Sequence, residues 1–304
     1  FFYFKYRSIE FDKYNKIIVN DIGAALSVAL FVNKSIFKKI ILMFHGGEPD
    51  LIYNKPQYLF RLKYVRNLYS NLLDHIEKII SVSNYLKSKA LKINQINNNK
   101  SKVSVWYVGV DNTMFFPEPI DIRKQLKINN ESILLLSVGR IVKGKGFNNK
   151  YEIFKNLILK HNLNYHWIIV GEGSYKENII SLSIRDGIQD KIKFLGAIEH
   201  NKLRTIYSSC DVFWLLSNFE ESFGLVYLEA QACGITVIGR NRAGVKEAIE
   251  NEITGFLVNT DDECSKILIN RSYTSIDKEI ILKKINHFKM NETISNFVNN
   301  YLIN

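Results

Sequence analysis

Cysteine is scarce: three residues in 304, Cys210, Cys233 and Cys264. They stand far apart, fit no metal-ligand spacing, and leave one unpaired, so they form neither a zinc pattern nor a fully paired disulfide set and favour a reducing compartment. Long apolar runs are missing too, and nothing approaches the ~18 consecutive apolar residues of a membrane-spanning helix. The chain lacks an initial methionine, and its opening FFYFKYR lacks the apolar core of a signal peptide. The expectation from this start is an incomplete chain. His75, His161, His166, His200 and His287 show no ligand spacing, so no metal is expected and no role is assigned to them. The composition is that of a globular protein: 46% hydrophobic residues and a mean hydropathy of -0.08. The length allows one large core or two ordinary ones.

Charge is present in excess and unevenly spread. Residues 1–115 carry 17 Lys/Arg against 8 Asp/Glu, whereas residues 116–304 carry 24 against 22. A basic first half favours an anionic partner, whether a membrane surface, a lipid-linked phosphate or a nucleic acid, or else is plain solubility charge. No motif with the aromatic interleaving of a nucleic-acid reader is present, so nucleic acid is not an expected partner. The segment 55–78 places Leu62, Val65, Leu68, Tyr69, Leu72 and Ile76 at helical spacing beside Arg61, Lys63 and Arg66. That stripe reads first as core with a solvated basic face, and second as a membrane-facing helix.

The second half alternates short apolar runs with helical patterns. Strands are expected at 133–138, 167–170, 192–195, 212–216 and 236–238, with helices at 147–161, up to 186, at 203–209, behind the fourth strand, and at 245–249. Continuous apolar runs alternating with helices predict a parallel sheet covered on both faces, a Rossmann-like domain. The first half shows the same alternation with fewer units: strands at 17–19, 40–44, 79–82 and 103–108, helices at 22–32, 57–75 and 83–93. Pro117 and Pro119 stiffen the connection. The segment 280–303 reads as an amphipathic helix.

The segment 211–234, DVFWLLSNFEESFGLVYLEAQACG, concentrates the chemistry. An apolar strand leads into a loop with Glu220 and Glu221, then Phe223 and Gly224 at a helix start. The first turn of a helix offers free N–H groups and the positive end of its dipole, so it attracts anions, and glycine lets a ligand approach the backbone. Glu221 and Glu229, eight positions later, are acceptors for sugar hydroxyls. Earlier, VGRIVKGKGF places Gly139, Arg140 and Lys145 between a strand and a helix, where a diphosphate finds cations and backbone donors. VGEGS, with Gly171 and Gly173, is a second such turn. His45 ends an apolar strand before Gly46 and Gly47, the place where parallel sheets hold ligands.

The pattern of Glu221, Phe223, Gly224, Leu225, Glu229, Ala230, Ala232 and Gly234 resembles the signature of the retaining, nucleotide-sugar-dependent glycosyltransferases of family 4. VGVDNTMFFPEP resembles that family's interdomain linker, with Val108 in place of the usual Asn. Ser222, Thr236 and Lys246 stand where the family usually has Gly, Pro and Pro.

The resemblance implies an α/β, GT-B fold: two Rossmann-like parallel-sheet domains facing across a cleft. The expected division is 1–118 for a partial acceptor-side domain, 119–285 for the donor-binding domain, and 286–304 for a helix returning to the first domain. It implies transfer of a sugar from a UDP- or GDP-sugar to an acceptor hydroxyl, without metal or other cofactor, in cell-surface polysaccharide or lipopolysaccharide synthesis. The acceptor would be a glycan or lipid-linked sugar, and the location cytoplasmic, on the inner face of the plasma membrane if peripheral. Glu221, Arg140, Lys145 and His45 would be the catalytic set. Glu229, Gly139, Phe223, Gly224, Leu225, Val226, Gly171, Gly173 and Ile198 would bind the donor, several of them through backbone groups. The alternative reading is a truncated, non-catalytic nucleotide-sugar-binding or assembly protein of the same fold.

Overall fold

A computed structural model describes residues 9–54, 56, 61–93, 96 and 100–303. The chain divides into two compact units, Phe1–Tyr107 with Ser295–Asn304, and Val108–Ile294. The segment 108–118, assigned above to the first domain, therefore packs with the second unit.

The first unit holds a parallel sheet of β1 (Ile17–Val19), β2 (Ile40–Phe44), β3 (Lys78–Ser81) and β4 (Val103–Val105), in that order. The longer helices between them are α1 (Ile22–Phe31), α2 (Lys63–His75) and α3 (Asn84–Ala90), with a single helical turn at Lys34–Phe37. Two of them start where a side chain satisfies a free N–H of the first turn: Asp21 accepts from the Ala24 N–H at 2.8 Å and Ser83 from the Leu86 N–H at 3.1 Å. Every residue of β2 is buried, because both faces of the sheet are covered. Alternation along the strand sends Ile41 and Met43 to the face that Phe297 covers, with Trp106 and Tyr301 beside it. The stripe of α2 is core: Val65, Tyr69 and Leu72 are buried, while Leu62 and Tyr64 stay exposed. The expected helix from residue 57 begins at Lys63, and residues 57–60 lie outside the described ones. No helix of the described residues is long and apolar enough to cross a membrane.

The second unit holds β5 (Ile133–Val138), β6 (Tyr165–Val170), β7 (Ile192–Gly196), β8 (Val212–Leu215), β9 (Thr236–Arg240) and β10 (Gly255–Val258). All pair in parallel, in the order β10-β9-β8-β5-β6-β7. The helices are α4 (Phe147–Leu159), α5 (Lys176–Arg185), α6 (Leu203–Ser209), α7 (Leu225–Ala232), α8 (Val245–Ala248), α9 (Asp261–Ile269) and α10 (Lys278–Ile285); α11 (Met290–Phe297) begins in this unit and its residues from Ser295 on belong to the first. α4 packs on α9, and α7 packs with α6 and α10. The sixth strand, β10, was not expected. Its Phe256 and Leu257 are only half-buried at the sheet edge, so its apolar signal is short. The single tail helix expected over 280–303 is broken instead: a 3-10 turn at Asn286–Phe288 and an extended Lys289 separate α10 from α11.

The larger core gathers Trp167, Trp214, Tyr151, Phe147, Phe154 and Tyr165. Trp167 and Trp214 meet edge to face with centroids 5.3 Å apart. One polar cluster is sealed inside. Ser137 Oγ donates to the Trp214 carbonyl at 2.9 Å and accepts from Trp167 Nε1 at 3.1 Å and Lys150 Nζ at 2.9 Å. Lys150 is fully buried, its amine 3.8 Å from the centre of the Phe147 ring. Burial, with a smaller contribution from the Lys145 charge, pushes its pKa well below the usual lysine range. The fold thus disfavours the charged form, so Lys150 costs stability below the ordinary lysine pKa.

Lys150→Met is expected to raise stability at pH 7 by about 1–3 kcal/mol, with the gain shrinking as pH rises toward the ordinary lysine pKa; urea unfolding at pH 7 and pH 9.5 checks this. His166 on β6 behaves in a related way. Burial first, then the charges of Lys191, Lys193 and Arg123, lower its pKa from 6.5 to about 4. Its depressed pKa means the unfolded state binds the extra proton between those values. Stability should therefore fall as pH drops from 6.5 toward 4, and His166→Phe should flatten that part of the Tm–pH curve.

Candidate functional site

In the second sheet the chain starts at the middle. From β5 it runs outward through β6 and β7, then returns to β8 beside β5 and runs the other way through β9 and β10. The loops leaving β5 and β8 therefore diverge, and a crevice opens at the carboxyl ends of these two strands, where open α/β sheets bind ligands. Both sequence motifs fall there: 139–146 after β5 and 216–224 after β8.

These loops lock together through the backbone. The Gly144 carbonyl accepts from the Asn218 N–H at 2.8 Å and the Phe219 N–H at 3.2 Å. Gly146, at φ +71°, approaches the Leu216 carbonyl so closely that a Cβ would lie 1.8 Å from its oxygen. Consequently Lys145 and Glu221 meet, Nζ to Oε1 at 2.6 Å, with side chains only 18% and 16% exposed. The sequence put these two on different parts of one ligand; in the protein they are bonded to each other. A second tie lies behind the first. Asn149 donates to Asp261 at 2.7 Å, and Arg240 pairs with the same carboxylate.

Arg140 is exposed, with no ion pair among the described residues, beside an open Gly139. The turn after β6 packs on this loop: the Ile141 N–H donates to the Glu172 carbonyl at 2.9 Å, and the Tyr175 N–H to the Ile141 carbonyl at 2.9 Å. A Cβ on Gly171 would lie 2.1 Å from the Gly139 oxygen, and one on Gly173 2.3 Å from the Ile141 oxygen. Both glycines are thus required by loop-on-loop contact. Ile198 is half-buried beyond β7.

Gly224, at φ +96°, starts α7, with the exposed Leu225 and half-buried Val226 in its first turn. No acidic or capping side chain satisfies that turn; the Tyr227 N–H donates to the Gly224 carbonyl at 3.0 Å, which leaves the N–H groups of Leu225 and Val226 to an anion. The Phe223 ring is buried against Phe288, at 5.7 Å, leaving only its backbone to face a ligand.

Glu229 is buried one turn further on, and both of its oxygens have donors. Tyr207 O–H donates to Oε2 at 3.0 Å, and His200 Nε2 lies 2.9 Å from Oε1. Burial and the Glu229 charge push the Tyr207 hydroxyl well above its ordinary pKa, so it stays a donor. Phe115 packs edge-on against both, at 5.0 Å from the His200 ring and 6.0 Å from Tyr207. Sequence reasoning assigned none of these three. His200 stands 29 positions from Glu229 with no shared motif, so only the packing of α6 on α7 brings them together.

His45 belongs to the first unit, at the carboxyl end of β2, with Nε2 2.7 Å from Asn20 Oδ1. Glu48 closes the following turn by accepting from the His45 N–H at 3.1 Å and the Gly46 N–H at 2.7 Å.

Residues 120–269 match the sequence model of the glycosyl transferases group 1 family. The Uncharacterized glycosyltransferase MJ1607 of Methanocaldococcus jannaschii is 30% identical over 186 residues, 60% of this chain and 46% of that protein. The N-acetyl-alpha-D-glucosaminyl L-malate synthase of Bacillus anthracis is 25% identical, over 74% of this chain and 55% of its own length. The chain thus spans about half the length of these two relatives. The capsular polysaccharide biosynthesis glycosyltransferase CapM of Staphylococcus aureus is 26% identical over 91% of this chain and 80% of its own. The crystal structure of Anabaena Alr3699/HepE in complex with UDP and glucose superposes with a TM-score of 0.76 at 19% identity, covering 94% of this chain and 77% of that one. That likeness carries the fold: α/β, with two parallel sheets, of GT-B type.

The Lys145–Glu221 pair should couple in a double-mutant cycle. Lys145→Met and Glu221→Gln should each destabilise, and the double variant should cost less than the sum, with a coupling of about 1–3 kcal/mol by urea unfolding. Additive effects would show that the pair contributes nothing to holding the loops.

Proposed function

Because the chain belongs, through its residues 120–269, to the glycosyl transferases group 1 family, we propose that the protein transfers a sugar from a nucleotide-diphosphate sugar to an acceptor hydroxyl with retention of configuration. The observation that carries this reading is the clasp at the β5/β8 crevice, where Lys145 and Glu221 are held at 2.6 Å. A crevice with cations on one lip and a carboxylate on the other suits a ligand with a phosphate end and a hydroxyl end. Arg140 and Lys145 stabilise the departing diphosphate, assisted by the free N–H groups at the start of α7. Glu221 accepts from the sugar hydroxyls and Glu229 from the ribose. The diphosphate oxygen itself takes the acceptor proton, so no side-chain base is invoked.

Lys145 must be shared between Glu221 and the incoming diphosphate. A bidentate arrangement is open to it, since an ammonium has three donors. UDP-sugars are the first donors to try, because the Anabaena structure binds UDP, and the capsule enzyme of Staphylococcus aureus points to a cell-surface glycan as the acceptor class. His45 is a further candidate, decided by its own substitution.

The test is transfer or hydrolysis with UDP-glucose, UDP-N-acetylglucosamine and GDP-mannose, comparing wild type with Arg140→Ala, Glu221→Ala and His45→Ala. Losses of about 100-fold or more are expected for the first two, the scale of losing a group that stabilises transition-state charge. Equal turnover in all variants would remove the residue assignments, and an inverted anomeric product by NMR would remove retention.

A further inference from the structure

We infer that His200 is a positioning residue for the nucleotide, acting through Glu229, and that the segment upstream of β5 holds it in place through Phe115. The inference rests on the reading of the second unit as a nucleotide-sugar site and extends it to residues outside both sequence motifs.

The argument starts from the carboxylate. Ionised Glu229 only accepts, and its two oxygens offer about four lone-pair sites. Tyr207 takes one on Oε2 and His200 one on Oε1. Because the partner cannot donate, the imidazole must present Nε2–H. One acceptor site is left on each oxygen. These two sit side by side on one planar group, the arrangement that receives a pair of neighbouring hydroxyls on a five-membered sugar ring. With either internal donor gone, the carboxylate is free to rotate and the pair of acceptors loses its aim.

The two donors differ in how they are held. Tyr207 is fully buried on α6, so its hydroxyl has no freedom. The His200 side chain is 59% exposed, on a 3-10 turn, and needs support. Phe115 supplies it: the ring is 2% exposed and meets the imidazole at 67°. Phe115 in turn is set by a tight turn. Asp111 Oδ1 accepts from the Thr113 N–H at 2.9 Å and its hydroxyl at 2.6 Å, and the Phe115 N–H donates to the Asp111 carbonyl at 2.8 Å. Those bonds also hold the Asp111 carboxyl below its ordinary pKa. Glu118 fastens the rest of the segment to α6 through Arg204 at 3.0 Å and Thr205 at 3.1 Å.

The experiment is calorimetric titration of the full chain with UDP and GDP, and with the 2′,3′-dideoxy form of whichever binds. The expected result is that His200→Ala weakens the ribonucleotide about tenfold, the worth of one hydrogen bond to a charged group. His200→Gln, which keeps an N–H at that place, should recover most of the loss. The dideoxy nucleotide should bind weakly and equally to wild type and His200→Ala, and Glu229→Ala should abolish the difference between the two nucleotides. Equal ribonucleotide affinity in His200→Ala and wild type overturns the inference and leaves the proposed function standing. A loss of the same size for ribo and dideoxy forms overturns it too, since that is a general structural effect. If wild type binds neither UDP nor GDP, the proposed function falls, and this inference with it.

Discussion

The site depends on how closely two backbones approach at the β5/β8 crevice. Gly144 gives its carbonyl to two N–H groups of the facing loop, and Gly146 leaves no room for a side chain beneath the Leu216 carbonyl. Those contacts are made by main chain, so they fix position without regard to the charges mounted on them. Lys145 lies between the two glycines and inherits its place. Glu221 is carried by the other loop, and its own carbonyl is held by the Gly244 N–H at 2.9 Å. The ion pair follows from the clasp; it is not what makes the clasp.

That order of causes bears on the electrostatics. Lys145 is paired with Glu221, and both Glu229 oxygens are hydrogen-bonded to Tyr207 and His200, before any ligand arrives, while Arg140 stands exposed. A half-buried lysine left alone would be costly, and so would a half-buried glutamate. Pairing them lets both stay charged at the crevice. On the proposed function, a diphosphate meets a preorganised ammonium with unused donors instead of one that must first be drawn from solvent.

Much of this was legible in the sequence, and the limits have physical causes. Strands β5, β6 and β8 announce themselves because they are buried on both faces and read as largely apolar runs, broken only by Ser137 in β5 and by His166 in β6, whose first two residues the apolar run misses. β10 was overlooked because an edge strand with half-exposed Phe256 and Leu257 carries a weaker signal. Glu221, Lys145 and Gly224 were found by motif, yet the bond between the first two was not, since it depends on loop closure over 76 positions. Gly171 and Gly173 read from the sequence as a glycine turn after a strand, and the loop after β5 that packs against them was not legible there. Lys150 illustrates the opposite failure. A lysine in a helix reads as solvated face, and only the packing of Phe147 and Trp167 reveals it as sealed in the core.

The boundary of the second unit sharpens the same lesson. The family match begins at residue 120, and a division there would leave Phe115 and Glu118 outside. Physically they belong within it, because Phe115 braces the imidazole on Glu229 and Glu118 is tied to α6. The stiffness expected from Pro117 and Pro119 is therefore only part of what the segment provides. Phe115 packs against His200 and Tyr207 behind Glu229, so a fragment cut at residue 120 would retain Glu221 and Glu229 but lose the support of one of the two donors hydrogen-bonded to Glu229. The smallest piece that keeps the whole arrangement starts at Val108, where the compact unit itself begins.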